Sequence, residues 1–87
     1  MRTIHKFVLH NLKGGDPACY VDMPKGAKVV HVGLQMQRVC VWADVDPKAG
    51  ILTRCFYLYG TGHAIDPAHR YLGTTQDGPF VWHVFEA

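Results

Sequence analysis

Apolar and polar residues alternate with a period of two along much of this chain, and no window of a dozen residues carries an apolar stripe at helical spacing. Side chains switch faces at each residue of a strand, so alternation sorts a strand into two rows. Val39, Val41, Ala43 and Val45 make one uniformly apolar row, which leaves Arg38, Cys40, Trp42 and Asp44 on the opposite face. Trp42 is thereby predicted to point away from the core. Upstream, Val30, Val32, Leu34 and Met36 share a face opposite His31, Gly33 and Gln35. The short link at Met36-Gln37 predicts that these two strands pair as a hairpin, although the Asn-Gly usual in such a turn is missing. Phe80 to Phe85 is apolar on both faces, as in a central strand or one covered in an oligomer.

Pro and Gly cut the chain at short intervals: Gly14-Gly15-Asp16-Pro17, Pro24-Lys25-Gly26, Asp46-Pro47, Gly60-Thr61-Gly62, Asp66-Pro67 and Asp77-Gly78-Pro79. The runs between them are rich in β-branched and aromatic residues: Thr3 to His10, Ala18 to Met23, Ala27 to Met36, Arg38 to Val45, Ile51 to Tyr59, Tyr71 to Thr75 and Phe80 to Phe85. Six or seven short strands follow, with at most one helical turn, near Pro67-Ala68-His69-Arg70. The predicted class is all-β, a small antiparallel sandwich or partly open barrel, in a single domain over residues 1–87.

Composition narrows the partners. The 87 residues are 48% hydrophobic and 18% charged, which is a folded composition short of charged surface. Leftover apolar surface and the two-sided run from Phe80 predict a homo-oligomer, a dimer or larger. A net charge of +2 without any basic run leaves nucleic-acid binding without support from charge. Cys19, Cys40 and Cys55 are odd in number and lack C-x-x-C spacing, which predicts reduced thiols and no zinc knuckle. Met1 to Lys6 lacks the apolar core of a signal peptide, and no stretch reaches the ~18 apolar residues of a membrane span. Together these predict an intracellular protein.

The most informative local sequence is Tyr59-Gly60-Thr61-Gly62-His63. Two glycines closing an aromatic strand permit a sharp turn whose N–H groups form an anion nest. The same glycines equally suit a plain bulge and turn with no ligand. If the chain has a ligand site, the sequence predicts that it includes this turn together with Arg70, for an anion, or Trp42, for a nucleobase. Trp42, Tyr57, Tyr59, Tyr71 and Trp82, interleaved with Arg54 and Arg70, have the makings of a stacking platform, and equally of ordinary sheet packing. Six histidines invite a metal reading through His63 and His69, but no second ligand pair stands at metal spacing. Cys55, His63 and Asp66 make a nominal nucleophilic trio without an elbow or oxyanion hole to orient it. Neither a metal, a cofactor nor a catalytic role is therefore assigned.

Met23-Pro24-Lys25-Gly26-Ala27-Lys28, Val41-Trp42-Ala43-Asp44-Val45-Asp46, Tyr59-Gly60-Thr61-Gly62-His63, Tyr71-Leu72-Gly73-Thr74 and Trp82-His83-Val84-Phe85-Glu86 span nearly the whole chain. In these motifs it resembles an uncharacterised family of short bacteriophage and prophage proteins. Members often carry Asn-Gly where this chain has Met36-Gln37. The resemblance implies a phage-derived protein in the cytoplasm of a bacterial host, and no particular chemistry. By analogy with small phage proteins, the expected role is a binder of a host factor or of a small anionic, nucleotide-like ligand, not an enzyme. The alternatives are a nucleic-acid-binding accessory protein and a structural or assembly component of a phage.

Overall fold

The computed structural model describes residues 1–10 and 17–87, and its elements are all strands. In chain order they are β1 (Thr3–Val8), β2 (Ala18–Pro24), β3 (Lys28–Gln35), β4 (Arg38–Val45), β5 (Ile51–Gly60), β6 (Arg70–Asp77) and β7 (Phe80–Glu86). They form a three-stranded sheet in the order β1-β4-β3 and a four-stranded sheet in the order β2-β5-β7-β6, antiparallel throughout. The result is a sandwich, not a closed barrel: β3 and β6 lie against each other at one side, but no ladder joins them. The turn expected at Gly14-Gly15-Asp16 lies outside the described residues.

The core sits between the sheets, where the apolar row of β4 meets Cys19 and Met23 of β2, Phe56 and Leu58 of β5, and Val84 of β7. Phe56 and Met23 are fully buried, each contributing roughly 1.5–3 kcal/mol of burial energy. As the alternation predicts, Val39, Val41, Ala43 and Val45 all point inward, and Trp42 points out. The apolar run of β7 is explained by its central place between β5 and β6. Its inward residue Val84 joins the core, while Phe85 lies outward with its ring edge-on to Tyr59 and Tyr71.

Two details of β3 depart from the sequence reading. Register slips by one residue between Val29 and His31, a β-bulge that turns Val29 inward and leaves Val30 exposed. A strict two-residue period cannot anticipate such an insertion. Met36 is not on the apolar face either, since it sits in the turn and is solvent-exposed. Near Pro67 the chain makes a hydrogen-bonded turn in place of a helical one. His69 N–H donates to the Asp66 carbonyl (3.0 Å) and Ala68 N–H to Asp66 Oδ1 (2.9 Å).

The β3–β4 hairpin forms as predicted, and its turn type is now defined. Met36 (φ 51°) and Gln37 (φ 63°) both take left-handed backbone, the type I′ geometry that favours Asn-Gly. Two ordinary residues are thus held in a conformation each resists by roughly 1 kcal/mol. The double substitution Met36→Asn, Gln37→Gly should raise stability by about 1 kcal/mol, read as a higher urea midpoint at unchanged slope. An unchanged or lower midpoint would show that the turn is not strained.

Candidate functional site

The glycine turn is closed on itself. β5 ends at Gly60, and His63 N–H donates to the Gly60 carbonyl (3.1 Å), with Gly62 at φ 89° in the third position, as in a type II turn. Gly62 is the residue whose freedom the turn requires, since Gly60 has no positive φ. The His63 ring folds back so that Gly60 N–H donates to its Nδ1 (3.2 Å). Thr61 Oγ1 bonds His83 Nε2 (2.9 Å), and His83 Nδ1 bonds Thr74 Oγ1 (3.0 Å). The N–H groups of Gly60 and His63 are therefore already engaged within the turn and are not open to an anion.

The turn nonetheless walls a cleft. Gly60, Thr61 and His63 face Pro79, Phe80 and Trp82 across a cavity of about 520 Å³ at one end of the sandwich. The Phe80 and Trp82 rings lie nearly parallel, with centroids 6.1 Å apart and planes 21° apart, because alternate residues of β7 share a face. Trp82 also borders a second cavity of about 360 Å³, lined among others by His10, Arg38 and Asp77. One tryptophan is thus the common wall of two hollows, one with a hydroxyl and an imidazole, the other with a guanidinium and a carboxylate.

The structure gathers part of the predicted site. Gly60, Thr61 and His63 line the cleft, while Tyr59 turns to the outer face of the four-stranded sheet, where its hydroxyl bonds His69 Nδ1 (2.8 Å). Arg70 is elsewhere: it pairs with Glu86, whereas Gly60 pairs with Trp82, four residues or roughly 13 Å along β7. Its guanidinium donates to Glu86 Oε1 (3.1 Å). Trp42 lies on the outer face of the other sheet, beside His31 (centroids 5.5 Å). The arginine and the tryptophan that do border these cavities are Arg38 and Trp82. Sequence held one clue to each: Arg38 directly follows the tight turn, and Phe80-x-Trp82 repeats an aromatic on one face of a strand.

The proposed stacking platform is divided. Tyr57, Tyr59 and Tyr71 share the outer face of the four-stranded sheet with Phe85, and His69 covers Tyr57 at 4.2 Å. There the neighbouring Cys55 pushes the Tyr57 hydroxyl above its usual range. Arg54 points inward instead, clamping Glu86 with Nε to Oε2 (2.6 Å) and Nη2 to Oε1 (2.8 Å). Those bonds to Arg54 hold the Glu86 carboxyl below its ordinary range against the opposing effect of burial. His63 and His69 serve different partners, Gly60 and Tyr59. Among the described residues no three His, Cys, Asp or Glu side chains group as metal ligands do. Nor do Cys55, His63 and Asp66 form a relay: His63 takes the Gly60 N–H, and Asp66 Oδ2 lies 3.8 Å from His69 Nε2. All three cysteines are free, and no helix of the described residues is long and apolar enough to cross a membrane.

The model of one protein family matches residues 1–87, and the chain belongs to that family, described as Domain of unknown function (DUF7352). No curated protein and no solved structure matches the chain.

Proposed function

We propose that this member of the family is a binding protein and not an enzyme, and that the cleft at Trp82 takes a small anionic ligand carrying an aromatic base. The observation that carries the reading is the shared wall: a base can stack against Trp82 and Phe80 while Arg38, across the same indole, receives a phosphate or carboxylate. Thr61 and His63 supply polar contacts at the mouth of the cleft. The phage-derived origin and the cytoplasm of a bacterial host belong to this reading. They rest on the resemblance of the motifs and on cysteines whose spacing suits a reducing compartment.

Adenosine monophosphate is a suitable probe, with the Trp42→Phe protein as background so that Trp82 is the single tryptophan. Saturable quenching of its emission is expected, and Arg38→Ala should weaken it about tenfold or more, the effect of losing a charge-assisted hydrogen bond. Ribose 5-phosphate, which has the anion but no base, should bind more weakly than the nucleotide. Absence of quenching at millimolar probe, or equal affinity after Arg38→Ala, would overturn the reading.

A further inference from the structure

The two outer faces of the sandwich differ in charge. On the four-stranded sheet, the outward strand positions carry one charged side chain, Asp22, whose carboxylate already accepts from Thr53 (2.5 Å). On the three-stranded sheet the outward positions carry Lys6, Lys28 and Arg38 against Asp44, and Asp44 is engaged by Arg2. Three cations on one small face thus stand beside an acid that is already paired.

An aromatic ring lies in the middle of that face. Trp42 belongs to the central strand, with Lys6 directly opposite on β1 and His31 directly opposite on β3. A Cβ at Gly33 would come within 3.0 Å of His31 Nε2 and 3.3 Å of the Trp42 ring, so the glycine is what leaves room for both rings. Beside them is a hollow of about 350 Å³ flanked by Lys6 and Arg38. Lys6 Nζ donates to Gln35 Oε1 (2.7 Å) on a diagonal across β4, which roofs Cys40 and holds the ammonium over the sheet.

We propose that the outer face of the β1-β4-β3 sheet binds single-stranded nucleic acid, a base stacking on Trp42 while Lys6, Lys28 and Arg38 hold the adjoining phosphates. Charge decides for this polymer: the face offers cations at both ends of a central ring, the arrangement a chain of alternating phosphates and bases requires. A duplex hides its base faces and would leave Trp42 without a partner. The inference shares Arg38 with the reading of the Trp82 cleft, but its ring, Trp42, and its other two cations, Lys6 and Lys28, line neither cavity beside Trp82.

The test is fluorescence anisotropy with labelled oligothymidylate of about ten nucleotides, a length within the usual site size for one small β domain. The Trp82→Phe protein is used, which takes the cleft's indole away, and the variants tested are at Lys6, Lys28 and Trp42, none of which lines the cleft, so that failure of the cleft reading and failure of this one are distinguishable. Saturable binding is expected, with log K falling against log salt at a slope of about −2 for three phosphates. Lys6→Gln and Lys28→Gln should each reduce that slope by roughly 0.7. Trp42→Ala should weaken binding about tenfold or more, and Trp42→Phe should restore most of it while confirming that the fold survives. No saturable binding at low salt overturns the proposal. So do equal affinity after Trp42→Ala, and competition by base-free polyphosphate or polyglutamate as effective, charge for charge, as by unlabelled oligothymidylate.

Discussion

Replacing Glu86 with alanine is expected to remove about 3 kcal/mol of folding stability, the cost of breaking one partner out of a largely buried ion pair. Its side chain is 9% exposed and that of Arg54 14%. Two parallel hydrogen bonds join them, and the third nitrogen of Arg54 donates to the Ala27 carbonyl (2.5 Å). Without the carboxylate, the guanidinium keeps only that carbonyl and the Phe56 ring, 5.7 Å from its carbon, in a place water barely reaches. An uncompensated charge is what makes the loss large, so trimming the other cation should matter little. Arg70 is 71% exposed, and Arg70→Ala should cost about 0.5 kcal/mol. For a domain of this size 3 kcal/mol corresponds to a fall in Tm of roughly 12–20 °C. Thermal unfolding of the two variants side by side provides the check. A loss for Glu86→Ala as small as that for Arg70→Ala would mean that the clamp is not what holds the β2-β5-β7 end together.

The same clamp sets a pH dependence with a definite sign. Arg54 and Arg70 hold the folded-state pKa of Glu86 below the ordinary glutamate value of 4.5. The unfolded chain therefore binds a proton first, so the contribution is fully present above that value and is lost as pH falls through the lower folded pKa. Acid titration of stability should decline below about pH 4.5, and Glu86→Gln should flatten part of that decline.

Much of the fold is legible in the sequence because a half-buried strand writes its two faces into alternate residues. Val39, Val41, Ala43 and Val45 name their sheet's inner face without any knowledge of topology. The same logic fails at Val30, where one inserted residue reverses the parity, and a bulge leaves no mark in composition. Site residues are harder for a different reason. The Gly-Thr-Gly turn was visible because glycine punctuates the chain, yet its partners depend on register. Arg70 and Trp42 looked adjacent to the turn in chemistry alone. Pairing of Gly60 with Trp82, and of Arg70 with Glu86, separates the first from the turn along β7, and the second belongs to the opposite sheet. Neither pairing can be read from one sequence, since strand order within the sheet, β2-β5-β7-β6, is not chain order.

Gly73→Ala should destabilise the domain by about 2–3 kcal/mol, although alanine in a strand normally gains 0.5–1 kcal/mol over glycine. The reversal comes from the place where the two sheets meet. β6 is bulged between Tyr71 and Gly73, which brings its backbone against β3, and a Cβ at Gly73 would stand 2.8 Å from both Cβ and Cγ2 of Val32. Val32 is a buried member of the core, so it cannot turn aside, and its Cβ is fixed to the backbone of β3 in any rotamer. Relief requires the sheets to separate at this side, exposing the core between them. Val32→Ala removes Cγ2 but leaves the Cβ in place, so the pair Gly73→Ala, Val32→Ala should recover little of the loss and add a cavity cost of its own. Gly50→Ala is the control, because a Cβ there meets nothing closer than the Lys25 side chain at 3.9 Å and the change should be neutral or slightly stabilising. Urea unfolding of the three variants against the parent decides it. If Gly73→Ala matches or exceeds the parent while Gly50→Ala behaves as expected, the close approach of β3 and β6 is not a constraint on this fold.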